Sequence, residues 1–163
     1  MQRDPSSAEH VILCLNSGSS SLKFALYCLG DQDETLLARG AVEGIGLSGG
    51  RLWIKGKDND ELVDVHRDFP DFKASAEGLS VVARDLGFPS PVAAGHRVVH
   101  GGPNHSSSER VDAPLLAELR RLIPFAPLHL PSAIQESRRL RPGSRKCHRS
   151  HVSIPRFTAR CRR

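Results

Sequence analysis

Residues 11–27 read Val-Ile-Leu-Cys-Leu-Asn-Ser-Gly-Ser-Ser-Ser-Leu-Lys-Phe-Ala-Leu-Tyr, and this stretch constrains the fold more than any other. A continuous apolar run is the pattern of a strand buried on both faces. The run breaks at Asn16 into a glycine and several serines, and a second apolar run starts at Leu22. The stretch therefore predicts a strand, a tight polar turn and a second strand. Such a turn offers backbone N–H groups, small hydroxyl donors and a backbone free to take positive φ, which suits a phosphate or another oxyanion. Lys23 adds a compact positive charge from the start of the second strand. A plain β-hairpin with a serine-rich turn meets the same composition. A Walker loop is excluded, because no helical pattern follows and Lys23 is not in a Gly-Lys-Ser/Thr context.

Along the chain, residues 8–15, 22–29 and 35–43 read as the first three strands, the last burying Leu36, Leu37 and Ala38. Glycines then crowd residues 44–50, and 51–55 and 61–66 alternate as a hairpin turning at Asp58-Asn59-Asp60. Phe69-Pro70-Asp71-Phe72 opens a helix ended by Gly87, with Phe72, Ala76, Leu79, Val82 and Ala83 at helical spacing. Residues 93–99 form a buried strand, and 112–123 a helix with Leu115, Leu116 and Leu119 inward. Pro131 suits the first turn of a third helix. Strands followed by βαβ elements predict a mixed sheet with flanking helices.

The segment Ala94-Gly95-His96-Arg97-Val98-Val99-His100-Gly101-Gly102 carries a second piece of chemistry. An arginine inside an apolar strand is costly unless paired, so Arg97 is expected to reach either an anion in a cleft or an internal carboxylate. His129, within Phe125-Ala126-Pro127-Leu128-His129-Leu130-Pro131, is open to two readings, a satisfied core or turn residue and a hydrogen-bond donor in catalysis.

Taken together, Asn16 to Lys23, Ala94 to Gly102, and Phe125 to Pro131 resemble the acetate kinases and their propionate and butyrate kinase relatives. The resemblance covers roughly residues 9–137, the first third of such a kinase. It implies the actin-like, ribonuclease-H-like α/β fold and a reversible phosphoryl transfer from ATP to acetate, giving acetyl phosphate and ADP with Mg²⁺ or Mn²⁺. Propionate or butyrate as acceptor, and a non-catalytic nucleotide-binding remnant, are the alternatives. By the same resemblance Arg97 would hold the carboxylate and the transferring phosphoryl, and His129 would donate to the equatorial oxygens. Val99 and Leu128 would line the acyl pocket, Ser19, Ser21 and Lys23 would order the phosphate side, and Asn16 would help place the metal. Such transfer depends on positioning and charge neutralisation more than on a protein nucleophile. Acetate and ATP are the implied partners; full-length family members homodimerise, which a chain of this length need not do. Leu130 departs from the asparagine many relatives carry there, and donates no hydrogen bond.

Charge divides the chain. The formal charge is +5, from 23 basic and 18 acidic residues, yet ten of the basic residues and none of the acidic ones lie in 138–163. Without that segment 13 basic residues face 18 acidic ones, a net of −5. The division separates an incomplete kinase-like domain, 1–137, from a basic tail, 138–163, which reads as a disordered cationic arm. A nucleic-acid partner would rest on that arm, where Phe157 is the lone aromatic and no binding motif surrounds it, so none is expected. Cys14, Cys28, Cys147 and Cys161 form no CxxC pair. With no secretory h-region before Glu9 and no run long enough to span a bilayer, a reduced cytoplasmic protein is expected, away from any membrane.

The tail also stands where relatives carry a segment like Val-Ala-Cys-Phe-Asp-Thr-Ala-Phe-His, whose aspartate contacts the metal or the acyl group. Reading the third base of each codon with the first two of the next, from Cys147 to Arg162, synonymous codons permit Pro-Gln-Val-Ala-Cys-Phe-Asp-Thr-Ala-Phe-His-Arg-Thr-Met-Pro. The expectation is a shift of reading frame between about Gln135 and Lys146. Lacking that aspartate and the second domain, the product is expected to have little or no activity alone.

Overall fold

The computed structural model describes residues 10–30, 33–98, 101–105, 107–125, 134 and 149–153. Five strands come first: β1 (His10–Ser17), β2 (Ser21–Leu29), β3 (Glu34–Glu43), β4 (Arg51–Gly56) and β5 (Glu61–His66). Each pairs antiparallel with its predecessor, as short connections between alternating segments require. Helix α1 (Phe72–Asp85) follows, then β6 (Ala93–Arg97), β7 (Glu109–Arg110), α2 (Ala113–Arg121), a 3₁₀ turn (Ile123–Phe125) and β8 (Arg149–Ser153). The eight strands form one sheet in the order β5-β4-β3-β2-β1-β6-β8-β7. Strand β6 returns beside β1 and parallel to it, with Leu13 opposite Ala94 and Leu15 opposite His96. This is the crossover that a helix between two parallel strands provides.

Local sequence explains both helices. Asp71 and Asp112 sit in extended backbone, and their carboxylates accept from the N–H of Ala74 and Leu115, satisfying donors that a helix start leaves free. Helix α1 turns Phe72, Ala76, Leu79 and Val82 onto the sheet, where they meet Leu22, Phe24, Val42, Leu52 and Ile54. Helix α2 packs Leu115, Leu116 and Leu119 with Val98, Val111 and Ile134 in a second cluster. Gly40 marks the tightest place in the sheet, since a Cβ there would strike the Trp53 carbonyl and the Phe24 ring.

Three expectations need correction or lie out of reach. The tail is not featureless: Arg149–Ser153 forms β8, parallel to β6 and antiparallel to β7. Strand formation there follows from the backbone groups that the edge of β6 presents, which accept any non-proline partner. The strand expected over 93–99 ends at Arg97. The helix expected from Pro131 falls outside the described residues, apart from the buried Ile134.

Candidate active site

Register fixes which residues share a face. Odd-numbered residues of β1 and even-numbered residues of β2 turn towards α1, as the burial of Val11, Leu22, Phe24 and Leu26 requires. Asn16 and Lys23 are therefore on the opposite face, directly across from one another. Strand β6 extends the row. Cys14 lies opposite Gly95, so two residues further along both strands Asn16 is level with Arg97. Neither core cluster includes a residue of this face, and Asn16, Lys23 and Arg97 are all exposed on it. With strands about 4.8 Å apart, the Lys23 and Arg97 backbones flank Asn16 across roughly 10 Å. Two cations on either side of a carboxamide, at the carboxyl ends of parallel strands β1 and β6, make a row suited to an anion carrying several oxygens.

The serine-rich turn borders this row. The Gly18 N–H donates to the Ser21 carbonyl at 2.8 Å, so it holds the turn together and is not a donor for an anion. Ile45, in the glycine-rich loop after β3, donates its N–H to the Ser20 carbonyl at 2.9 Å. Ser19 is exposed and Ser21 half-buried. Asn16, Ser19, Ser21, Lys23 and Arg97 are thus gathered at one end of one sheet. Val99, Leu128 and His129 lie outside the described residues.

Arg97 corrects the premise drawn from its sequence. It is the last residue of β6 and exposed, and no described carboxylate pairs with it. The buried residue is its neighbour, His96, which is 2% exposed on the α1 side of the sheet. Burial pushes the His96 imidazole down to about 4, against a smaller upward pull from the Arg97 backbone, so a neutral ring lies behind the arginine at pH 7. An alternating Ala-Gly-His-Arg run hides this, because histidine suits either face.

Glu43 was also missed. Register places it across from Ser21, and its carboxylate accepts from the Trp53 indole at 3.2 Å. The signal available was its spacing from Ala41, which puts both on the face of Lys23. Ser17 Oγ is buried at the end of β1 with no hydrogen-bond partner among the described residues.

A sheet built of an antiparallel meander joined to parallel strands, with helices packed on it and a cationic row at its strand ends, defines an α/β protein of the actin-like, ribonuclease-H-like kind. Residues 11–144 match the sequence profile of the acetokinase family, and the chain belongs to that family. Curated acetate kinases of Streptomyces avermitilis and Nitrobacter hamburgensis are 42% and 38% identical to it, over 80% and 79% of this chain. The chain spans 34% and 33% of their lengths. A crystal structure of Porphyromonas gingivalis acetate kinase superposes with a TM-score of 0.74 at 30% identity, over 89% of this chain and 37% of that one. A propionate kinase from Francisella tularensis gives 0.75 at 29% identity, over 89% and 36%. Among the described residues no helix is long and apolar enough to cross a membrane.

Proposed function

We propose that this chain supplies one wall of a phosphotransferase cleft, in which ATP and a short carboxylate exchange a phosphoryl group, with acetate as the acceptor. The observation that carries the reading is the row Lys23, Asn16 and Arg97, level on three adjacent strands and facing one way. Arg97, at the outer end of the row, offers a planar fork that binds a carboxylate or a phosphoryl group through two parallel hydrogen bonds. Lys23 opposes it as a point charge suited to phosphate oxygens. Ser19 and Ser21 shape the turn alongside, and within the family's pattern His129 would donate to the equatorial oxygens while Val99 and Leu128 close around the acyl group. Charge on the transferring group grows more dispersed in the transition state, and fixed cations on both sides lower its energy without any covalent step.

A divalent metal, Mg²⁺ in the first place, fits this wall in a limited way. Asn16 offers a hard carboxamide oxygen, but the described residues contain no group of three or more carboxylate, histidine or cysteine side chains that could cage a cation. Such a donor set suits a metal held mainly by phosphate oxygens and water, with Asn16 as one contact. When bound, the metal would neutralise polyphosphate charge. A homodimeric, cytoplasmic enzyme is the assembly this reading implies.

The test is a chimera in which residues 10–137 replace the matching third of the Streptomyces avermitilis acetate kinase. Acetyl phosphate formation is expected, with Arg97→Ala lowering kcat/KM at least 100-fold and Lys23→Ala raising KM for ATP. A folded chimera that binds ATP yet forms no acyl phosphate overturns the proposal. The chain alone is expected to form little or no acetyl phosphate, because one wall cannot position both substrates. The Francisella tularensis propionate kinase match favours propionate as a second reading, which the ratio of kcat/KM values for the two acids decides.

A further inference from the structure

We infer that His105 is a proton-operated latch: as an imidazolium it ties the segment 101–105, which follows β6, to both β7 and α2, and on losing a proton it lets go of α2 and keeps β7. The ring stands between carboxylates from two different elements. Its Nδ1 lies 3.0 and 2.9 Å from the two oxygens of Glu109 on β7, and its Nε2 lies 2.9 Å from Glu118 Oε2 on α2. The side chain is 13% exposed, so little water can stand in for either partner. An ionised carboxylate only accepts, and a neutral imidazole carries one N–H and one lone pair. Both contacts are therefore hydrogen bonds only while both ring nitrogens are protonated.

The geometry also selects which contact opens. Glu118 has a second donor, the Asn104 amide, which reaches its other oxygen at 2.6 Å, whereas the Glu109 carboxylate has no other donor among the described residues. The one N–H left on a neutral ring therefore counts for most on Glu109. The neutral form keeps its proton on Nδ1 and turns a lone pair towards Glu118, and that contact parts. Glu109 and Glu118 are the charges that bear on the ring, and Arg121, further along α2, bears on Glu118. Desolvation disfavours the charged ring and the two carboxylates outweigh it, so the latch is shut below about pH 6.5 and opens as pH climbs through the raised value. Opening is local. Gly102, at φ +70°, leaves room for the Leu122 side chain at the end of α2, where a Cβ would come within 2.8 Å of it, so the start of the segment stays beside the helix. The inference goes beyond the proposed cleft and does not depend on it.

Two NMR measurements on the full chain test it, and neither involves phosphoryl transfer, so they can fail while the proposed function stands. The first follows the ring nitrogens of the ¹⁵N-histidine-labelled chain, with His105 assigned by the signals that His105→Gln removes. Both nitrogens are expected to carry protons at about pH 6, and Nε2 to be the one that loses its proton as pH is raised. A ring already neutral at about pH 6, or one that loses the Nδ1 proton, overturns the inference. The second is the order parameter of the Asn104 and His105 backbone amides. It is expected to fall from about 0.85 towards 0.6 as His105 titrates. In Glu118→Gln, whose carboxamide can donate to a bare Nε2, it should stay high over the same pH range. Order parameters that ignore pH in the unaltered chain, or that fall equally in Glu118→Gln, overturn the latch.

Discussion

The two sides of the sheet are built differently. From β1 to β5 each strand pairs with the one before it, and α1 covers the resulting face with a cluster in which Val42 and Ile54 are fully buried. On the other side β6 reaches β1 only through a crossover, and β8 arrives after all the other described elements to lie between β6 and β7. Pairing local in sequence costs little chain entropy, whereas non-local parallel pairing must recover its loop-closure cost from packing. The antiparallel side is therefore expected to be the more autonomous, and the parallel side to be the part that opens first.

Core truncation gives the largest effect and the most direct challenge to that contrast. Ile54→Ala on the antiparallel side and Leu119→Ala on the parallel side, both at 0% exposure, should each cost about 2–5 kcal/mol. Hydrogen exchange distinguishes them: Leu119→Ala should release amides of β6 and α2 while β2 to β4 stay protected. Equal loss of protection everywhere would show that the two sides unfold as one.

Acid sharpens the comparison from within the parallel side. His96 is neutral when folded and binds a proton in the unfolded chain below about pH 6.5. Stability should thus fall as pH drops from about 6.5 towards 4, by on the order of 3 kcal/mol once both values are passed. His96→Gln should flatten that part of a urea-denaturation pH profile.

Gly40→Ala probes the antiparallel side without emptying it. Its new methyl would press on the Trp53 carbonyl and come within 2.6 Å of the Phe24 ring, an overpacking expected to cost about 1–3 kcal/mol by chemical denaturation.

The smallest effect concerns His105, on the segment that leads from β6 to α2. Its Nδ1 lies 2.9 Å from Glu109 Oε2 and its Nε2 lies 2.9 Å from Glu118 Oε2, while Asn104 donates to the other Glu118 oxygen at 2.6 Å. Desolvation opposes the charged ring, and the two carboxylates overcome it, so the His105 pKa is raised. The sign is opposite to that of His96. The clasp contributes fully below about pH 6.5 and is lost as pH climbs through the raised value. A modest drop in Tm between neutral and mildly alkaline pH, absent in His105→Gln, is the expected result.

Much of this architecture was legible in the residues. The break at Asn16 located the first turn, and Phe72, Ala76, Leu79 and Val82 gave the inner face of α1 by their spacing. Asn16, Lys23 and Arg97 were picked out by residue type, but only register could place them in one row, because the crossover that aligns β6 with β1 leaves no local trace. His96 escaped because its burial depends on which way β6 faces. The pairing of β8 was invisible for a different reason: it rests on backbone hydrogen bonds, to which the side chains of a cationic pentapeptide contribute no pattern.

The bond from Ile45 to the Ser20 carbonyl has a mechanical consequence. It ties the β1–β2 corner to the chain that leaves β3, so that corner keeps its shape whatever arrives beside it. A jaw set in advance spends little ordering entropy on its guest. In the proposed cleft, any closing movement is then expected from the opposite wall.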